Sequence, residues 1–259
     1  MWKEVDVAKD LLNLGFKKGD VVLIHSSYKS LGELEGGAQT FFNALESVLG
    51  EEGTICLPTL TFSTVSATNR YFNLQETKSN VGYLSEFFRT QVKGAVRSSH
   101  ITHSVTVKGK YADFLVKGHE KDQVMVGENS PFAKLPSLNA KILFLGCSPS
   151  SNTIMHGVET VVKPPYLFHN ATPLEYTYQD GDKTETRLLT RFTFGDTKTS
   201  QKYDRMLNLL TENECWQGKI CDANCYVMLA KAVWEKGLEK IKDNPFYFVD
   251  SPLDPNRKI

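Results

Sequence analysis

A histidine and a glutamate stand three residues apart in Thr153-Ile154-Met155-His156-Gly157-Val158-Glu159. On a helix that spacing puts both side chains on one face, so the carboxylate can steer the imidazole. An imidazole titrates near neutrality and can take a proton from an attacking group. Upstream, Lys141-Ile142-Leu143-Phe144-Leu145-Gly146 reads as a buried strand. Ser148-Pro149-Ser150-Ser151-Asn152 reads as a turn that caps the next helix at Asn152. His156 is then expected in the first turns of a helix, just past the carboxyl end of a strand. Open α/β sheets bind ligands there, and the positive helix end favours a neutral imidazole. The same spacing also occurs in surface ion pairs and in satisfied core histidines, so the pair alone names no reaction.

Other segments carry further chemistry. His25-Ser26-Ser27-Tyr28-Lys29-Ser30-Leu31-Gly32 combines hydroxyls, backbone donors and one lysine after an apolar run. Such a loop suits a phosphate or pyrophosphate, and it equally suits a connector that satisfies its own backbone. Its glycine and lysine spacing is not that of a Walker loop. Arg97-Ser98-Ser99-His100-Ile101-Thr102-His103-Ser104-Val105 joins an arginine, hydroxyls and two histidines. It could clamp a polyanion through Arg97, hold a metal through His100 and His103, or be structural. Cys147 lies near His156 in sequence and could form an acyl-cysteine, but a small residue closing a buried strand is the favoured reading.

The elements that must position these groups follow from periodicity. A helix is expected over 4–14, a strand over 21–25, a helix after Gly36-Gly37 and a strand over 53–58, which is a parallel α/β unit. Residues 60–80 read as a long loop, 81–90 as a helix, 103–107 as a strand and 111–117 as a helix. Thr172–Tyr178 and Thr184–Phe194 read as a hairpin turning at Asp180-Gly181-Asp182. Two late helices are expected near 199–210 and 222–238. The fold class expected is α/β, with a mixed, largely parallel central sheet flanked by helices and a late antiparallel hairpin excursion. One domain spans 1–259, with a cofactor-binding half over about 1–165 and a substrate-shaping excursion over about 166–200.

Composition narrows the partners. The formal net charge is zero, so bulk electrostatics favour neither nucleic acid nor an anionic membrane. No apolar run reaches spanning length and the start lacks a secretory pattern. Five cysteines without a disulfide-like framework fit reduced thiols and a cytoplasmic location. Cys215, Cys221 and Cys225 do not form a recognised zinc spacing, and no metal is expected.

Taken in order, the segments resemble the aminoglycoside 3-N-acetyltransferase family. The elements that carry the resemblance are Gly19-Asp20, His25-Ser26-Ser27, Leu31-Gly32, Gly36-Gly37, Gly53-Thr54 and Leu57-Pro58-Thr59. They continue with Arg97-Ser98, His100, His103-Ser104, Gly127, Ser130-Pro131 and the Thr153, His156, Glu159 set. The match runs from Gly19 to about Leu167, with a fainter echo at Asp243-Asn244-Pro245-Phe246. Ile101 departs from it, since the family often has proline after that histidine.

The resemblance implies an acetyl-CoA-dependent N-acetyltransferase with a fold unlike the usual small GNAT acetyltransferases. His156 would be the general base and Glu159 its orienting carboxylate. Coenzyme A would be held by His25, Ser26, Ser27, Lys29, Ser30, Leu31 and Gly32, and by Arg97, Ser98, His103, Ser104 and Val105. A homodimer is expected on the same ground. The acceptor would be a primary amine on an amino sugar. Zero net charge suits an anionic, nucleotide-linked aminodeoxy sugar of glycan biosynthesis better than a polycation. An aminoglycoside, acetylated as antibiotic resistance, is the alternative. A metal-dependent hydrolase using His100, His103 and His156, or a non-catalytic coenzyme A-binding protein, are the readings from other classes.

Overall fold

The computed structural model describes residues 1–168, 172–191 and 198–256. In chain order the first elements are α1 (Glu4–Asn13), β1 (Val21–Ser26), α2 (Ala38–Leu49), β2 (Thr54–Pro58), β3 (Tyr71–Asn73) and α3 (Tyr83–Gln91). Next come β4 (Val96–Arg97), β5 (Val105–Gly109), α4 (Ala112–Val116), α5 (Pro131–Lys134), β6 (Lys141–Leu145), α6 (Met155–Val162) and α7 (Pro165–Phe168). The chain continues through β7 (Thr172–Asp180), β8 (Lys183–Arg191), β9 (Ser200–Gln201), β10 (Cys215–Ile220), β11 (Ala223–Leu229), α8 (Ala230–Asp243) and β12 (Val249–Asp250).

Seven strands form the central sheet in the order β10-β11-β6-β1-β2-β5-β4. The middle three, β6, β1 and β2, run parallel, and antiparallel strands extend both sides. Strand β1 lies at the centre because Val21, Val22, Leu23 and Ile24 are all apolar. Val22 and Ile24 face the layer of α1, α2 and α3, whereas Val21 and Leu23 face the layer of α6 and α8. A strand covered on both faces has no polar alternation, and each such side chain contributes about 1.5–3 kcal/mol by burial.

The parallel register pairs His25 with Phe144 and Ser26 with Leu145, which brings the loops after β1 and β6 side by side. Gly146 makes that approach possible. Its φ is +63°, and a Cβ there would stand 1.6 Å from Ser30 Oγ. Gly157 does the same for α6 against α8, since a Cβ would meet the Trp234 ring at 2.5 Å.

A smaller sheet, β3-β7-β8, stands beside the first. Its hairpin closes between Asp180 and Lys183, as the turn residues predict. The residues 192–194 of the expected second strand lie outside the described residues. Phe72, Tyr176, Tyr178 and Leu189 pack with Val65, Leu74 and Ile101 in a separate apolar cluster.

Four expectations are corrected. Residues 60–80 are not all loop, because β3 pairs in parallel with β7. The strand expected over 103–107 starts at Val105, since the backbone at 100–104 is occupied in a turn around His100. Residues 199–210 form β9 and the 3-10 turn Tyr203–Asn208 rather than an α-helix. The helix expected over 222–238 is a strand up to Leu229 and a helix only from Ala230 to Asp243. Its apolar residues fit either period, and pairing of β11 with β6 decides for strand. No described helix is long and apolar enough to cross a membrane.

Candidate active site

A cavity of about 430 Å³ opens over the carboxyl ends of β1 and β6. Its polar wall includes His25, Ser26, His103, Cys147, His156, Gln201 and Tyr203. Leu60, Phe62, Val124, Met125, Leu167 and Leu189 are among its apolar walls. None of the described lining residues is an aspartate or glutamate.

Helix α6 carries His156 in its first turn, close to the expected position. Asn152 serves two residues before the formal cap, where its Oδ1 accepts from the Ile154 N–H at 3.3 Å. The i,i+3 geometry brings His156 Nδ1 to 2.8 Å from Glu159 Oε2. Glu159 is fully buried, whereas the His156 side chain keeps 14% exposure at the cavity. Tyr166 donates to Glu159 Oε1 at 2.7 Å, and Tyr203 donates to Glu159 Oε2 at 2.7 Å. Gln201 Nε2 lies 3.3 Å from His156 Nε2 and 3.0 Å from the Tyr203 hydroxyl. A cavity-facing imidazole can accept a proton, and the buried, hydrogen-bonded carboxylate behind it stabilises the charge that forms on the ring. Tyr166, Gln201 and Tyr203 carry no spacing signal relative to His156. Only the aromatic and polar character of the 165–203 stretch hints at them.

The His25 to Gly32 segment divides. His25 and Ser26 line the cavity. His25 stacks on Phe144 at 5.2 Å, and burial lowers its pKa to about 3. Its Nε2 and the Ser26 Oγ are buried without a protein partner among the described residues. Ser27, Lys29, Ser30, Leu31 and Gly32 are not part of that lining. The Ser27 N–H donates to the Leu145 carbonyl at 2.8 Å, Ser30 Oγ donates to the Ser27 carbonyl at 2.6 Å, and Leu31 belongs to the core. Lys29 is exposed in the 3-10 turn Tyr28–Leu31.

The Arg97 to Val105 segment divides similarly. Arg97 donates to the carbonyls of Thr59 (2.9 Å), Leu74 (3.1 Å) and Thr77 (2.7 Å) and to Ser104 Oγ (2.9 Å). Its guanidinium also lies 4.9 Å over the Phe72 ring, and burial first, then Arg89, lowers its pKa to about 9. Ser98 Oγ accepts from the Val105 N–H and meets His119 Nδ1 at 2.8 Å. Ser104 Oγ donates to the Thr59 carbonyl at 2.8 Å. Arg97, Ser98, Ser104 and Val105 therefore knit β2, β4 and β5 together and do not line the cavity. Only His103 of that segment's expected contacts does, with its ring 5.9 Å from that of His156. The Ser27 and Val105 N–H groups are already engaged, by the Leu145 carbonyl and by Ser98 Oγ, and are not free to serve an oxyanion.

The metal reading fails on chemistry. His100 Nδ1 accepts the N–H groups of Thr102 and His103, and its Nε2 faces the Val124 carbonyl at 2.9 Å. No lone pair is left for a cation. Among the described residues no group of three or more His, Cys, Asp or Glu side chains is arranged to hold one. Burial raises the pKa of the Cys147 thiol, whose hydrogen-bond contact is Ser151 Oγ at 3.8 Å.

Known proteins share this arrangement of chain. The structure of AAC-IIIb in binary complex with CoASH superposes with a TM-score of 0.81 at 24% identity, covering 93% of this chain and 97% of that one. Sisomicin-bound AAC-VIa gives 0.80 at 21% identity, with 93% and 98% covered. At these identities the likeness is one of fold. Aminoglycoside N(3)-acetyltransferase III from Salmonella sp is 31% identical over 175 residues, which are 61% of this chain and 60% of the relative. The SPbeta prophage-derived aminoglycoside N(3')-acetyltransferase-like protein YokD of Bacillus subtilis (strain 168) is 30% identical over 192 residues, 65% of this chain and 68% of that protein. The alignment thus spans about three fifths of the Salmonella relative's length. The model of one family, aminoglycoside 3-N-acetyltransferase, matches residues 23–242, and the chain belongs to that family.

Proposed function

We propose that this chain transfers an acetyl group from acetyl-CoA to a primary amine, with the 3-amino group of an aminoglycoside as the acceptor class. The observation that carries the reading is the cavity-facing His156 backed by the buried carboxylate of Glu159. The names of the relatives favour an aminoglycoside over the nucleotide-linked sugar expected from net charge. Net charge averages over the whole surface and says little about one cavity. The CoASH complex of AAC-IIIb supports the donor.

Acetyl-CoA would supply the acetyl group as an activated thioester. The orphaned His25 Nε2 and Ser26 Oγ fit the amide and carbonyl groups of its pantetheine arm. His156 takes a proton from the amine as the nitrogen attacks. The new carbon–nitrogen bond forms, the carbon–sulfur bond breaks, and His156 returns the proton to the departing sulfur. The products are an amide and a free thiol. Glu159 stabilises the transient imidazolium. The transfer is direct, and the homodimer is part of the same reading.

The test is thiol release from acetyl-CoA over a panel of aminoglycosides, nucleotide-linked amino sugars and single-amine sugars. Single-amine sugars are included because the described lining holds no carboxylate for a polycation. Release dependent on aminoglycoside is expected. Coenzyme A binding without release for any amine would make this a binding protein. Release with nucleotide-linked sugars alone would restore the biosynthetic role.

A further inference from the structure

Three polar groups converge on the buried Glu159. Tyr166 serves Oε1, while Tyr203 and His156 Nδ1 serve Oε2. Burial, and then Glu159 itself, raise the pKa of both phenols, so both keep their hydrogens. With its hydrogen committed to Glu159, the Tyr203 oxygen offers only lone pairs to its other neighbours. His156 Nδ1 lies 3.1 Å from that oxygen as well as 2.8 Å from Oε2. A bare Nδ1 would set its lone pair against two oxygens, so Nδ1 carries the hydrogen.

Gln201 completes the assignment. Its amide nitrogen reaches both the Tyr203 oxygen and His156 Nε2. The nitrogen has two hydrogens, one for each acceptor. The reversed amide would press its carbonyl against the lone pairs of Tyr203. Every hydrogen in the network then has one place, and Nε2 holds a lone pair.

We propose that Tyr203 and Gln201 are positioning residues that lock His156 with its hydrogen on Nδ1 and its Nε2 lone pair turned to the acceptor amine. This rests on His156 being the base. An arriving amine replaces one long hydrogen bond, the 3.3 Å contact from Gln201. Neither residue belongs to a motif, and both reach the ring from more than 40 positions away.

The experiment is ¹⁵N NMR of histidine-labelled full-length protein, alongside steady-state kinetics. The wild type is expected to show a protonated Nδ1 and a bare Nε2 at neutral pH. Gln201→Glu keeps the shape but replaces the donor with an acceptor. It should move the hydrogen towards Nε2 and lower kcat about 10- to 100-fold, the scale of one hydrogen bond to a charged group. KM for acetyl-CoA should stay the same. Tyr203→Phe keeps the ring packing and should give a mixture of tautomers with a similar fall. A wild-type Nε2–H tautomer would overturn the proposal, and so would Gln201→Glu with unchanged ¹⁵N shifts and kcat within about twofold. If Tyr203→Phe does not fold, Gln201→Glu carries the test alone. The expected tautomer without turnover on any amine would sink the proposed function and leave the lock standing.

Discussion

Residues 97–105 and residues 153–166 are both rich in polar side chains, yet the fold uses them differently. In the first, Arg97 donates to three backbone carbonyls and to Ser104, and Ser98 serves Val105 and His119. In the second, Glu159 gathers its donors inside while His156 keeps an edge at the cavity. Residue type in a motif therefore does not separate scaffold from chemistry. What separates them is whether the hydrogen-bonded side chain also lines the cavity. A guanidinium serving carbonyls organises loops, and its removal should be felt as lost stability. An imidazole with an edge on the cavity wall should be felt first as lost turnover.

The largest effect tests the second region. His156→Ala should lower kcat by about 10²- to 10⁴-fold, the usual range for a positioned base. Its coenzyme A affinity, read by calorimetry, should be nearly unchanged, and its stability should fall less than that of Arg97→Ala. Surviving turnover would remove His156 from the base role. The converse applies to Arg97→Ala. It should cost about 2–4 kcal/mol in urea unfolding, because three partly buried carbonyls lose their donor. Below its melting point it should retain most of its acetyl-CoA affinity. A folded Arg97→Ala protein that no longer binds coenzyme A would break the comparison and restore Arg97 as a clamp.

A smaller effect comes from the buried imidazoles. Burial, as the first cause in each, lowers the pKa to about 3 for His25 and about 4 for His100, and well below the ordinary 6.5 for His103 and His119. The unfolded chain therefore binds protons below pH 6.5 that the folded chain refuses. Their contribution to stability is complete above pH 6.5 and is lost as pH falls towards 4 and 3. Calorimetry at pH 5 should count proton uptake on unfolding approaching one per buried ring. No uptake would mean the rings are already charged in the fold. The smallest effect is expected of Cys147→Ala, which should keep turnover within about twofold, since Ala replaces a small thiol with no assigned role. A large loss would revive the acyl-cysteine route.

Much of the fold was legible in the chain. The unbroken apolar runs at 21–24 and 142–145 announce central strands, and Gly181-Asp182 announces the hairpin. Strand β10 was not legible. Cys215-Trp216-Gln217-Gly218-Lys219-Ile220 lies at an edge, partly exposed, and shows no strong alternation. Strand β11 was masked by continuity with α8, since Ala223, Cys225, Val227, Met228 and Ala230 suit both periods. Within the site, His25, Ser26 and His103 lie on the cavity wall, and Arg97, Ser98 and Ser104 bond to the backbone of neighbouring segments.

The pairing of His156 with Glu159 is a property of the chain itself, because three residues of helix bring them together wherever the helix lies. The family is equally a matter of sequence, carried by ordered short motifs. Tyr203 and Gln201 are another matter. They stand 47 and 45 residues from His156, and no local period links them to it. Only the closing of the chain around α6 brings their polar ends to the imidazole. Contacts across such distances depend on where strands and turns finally pack, and that is settled by the whole core at once.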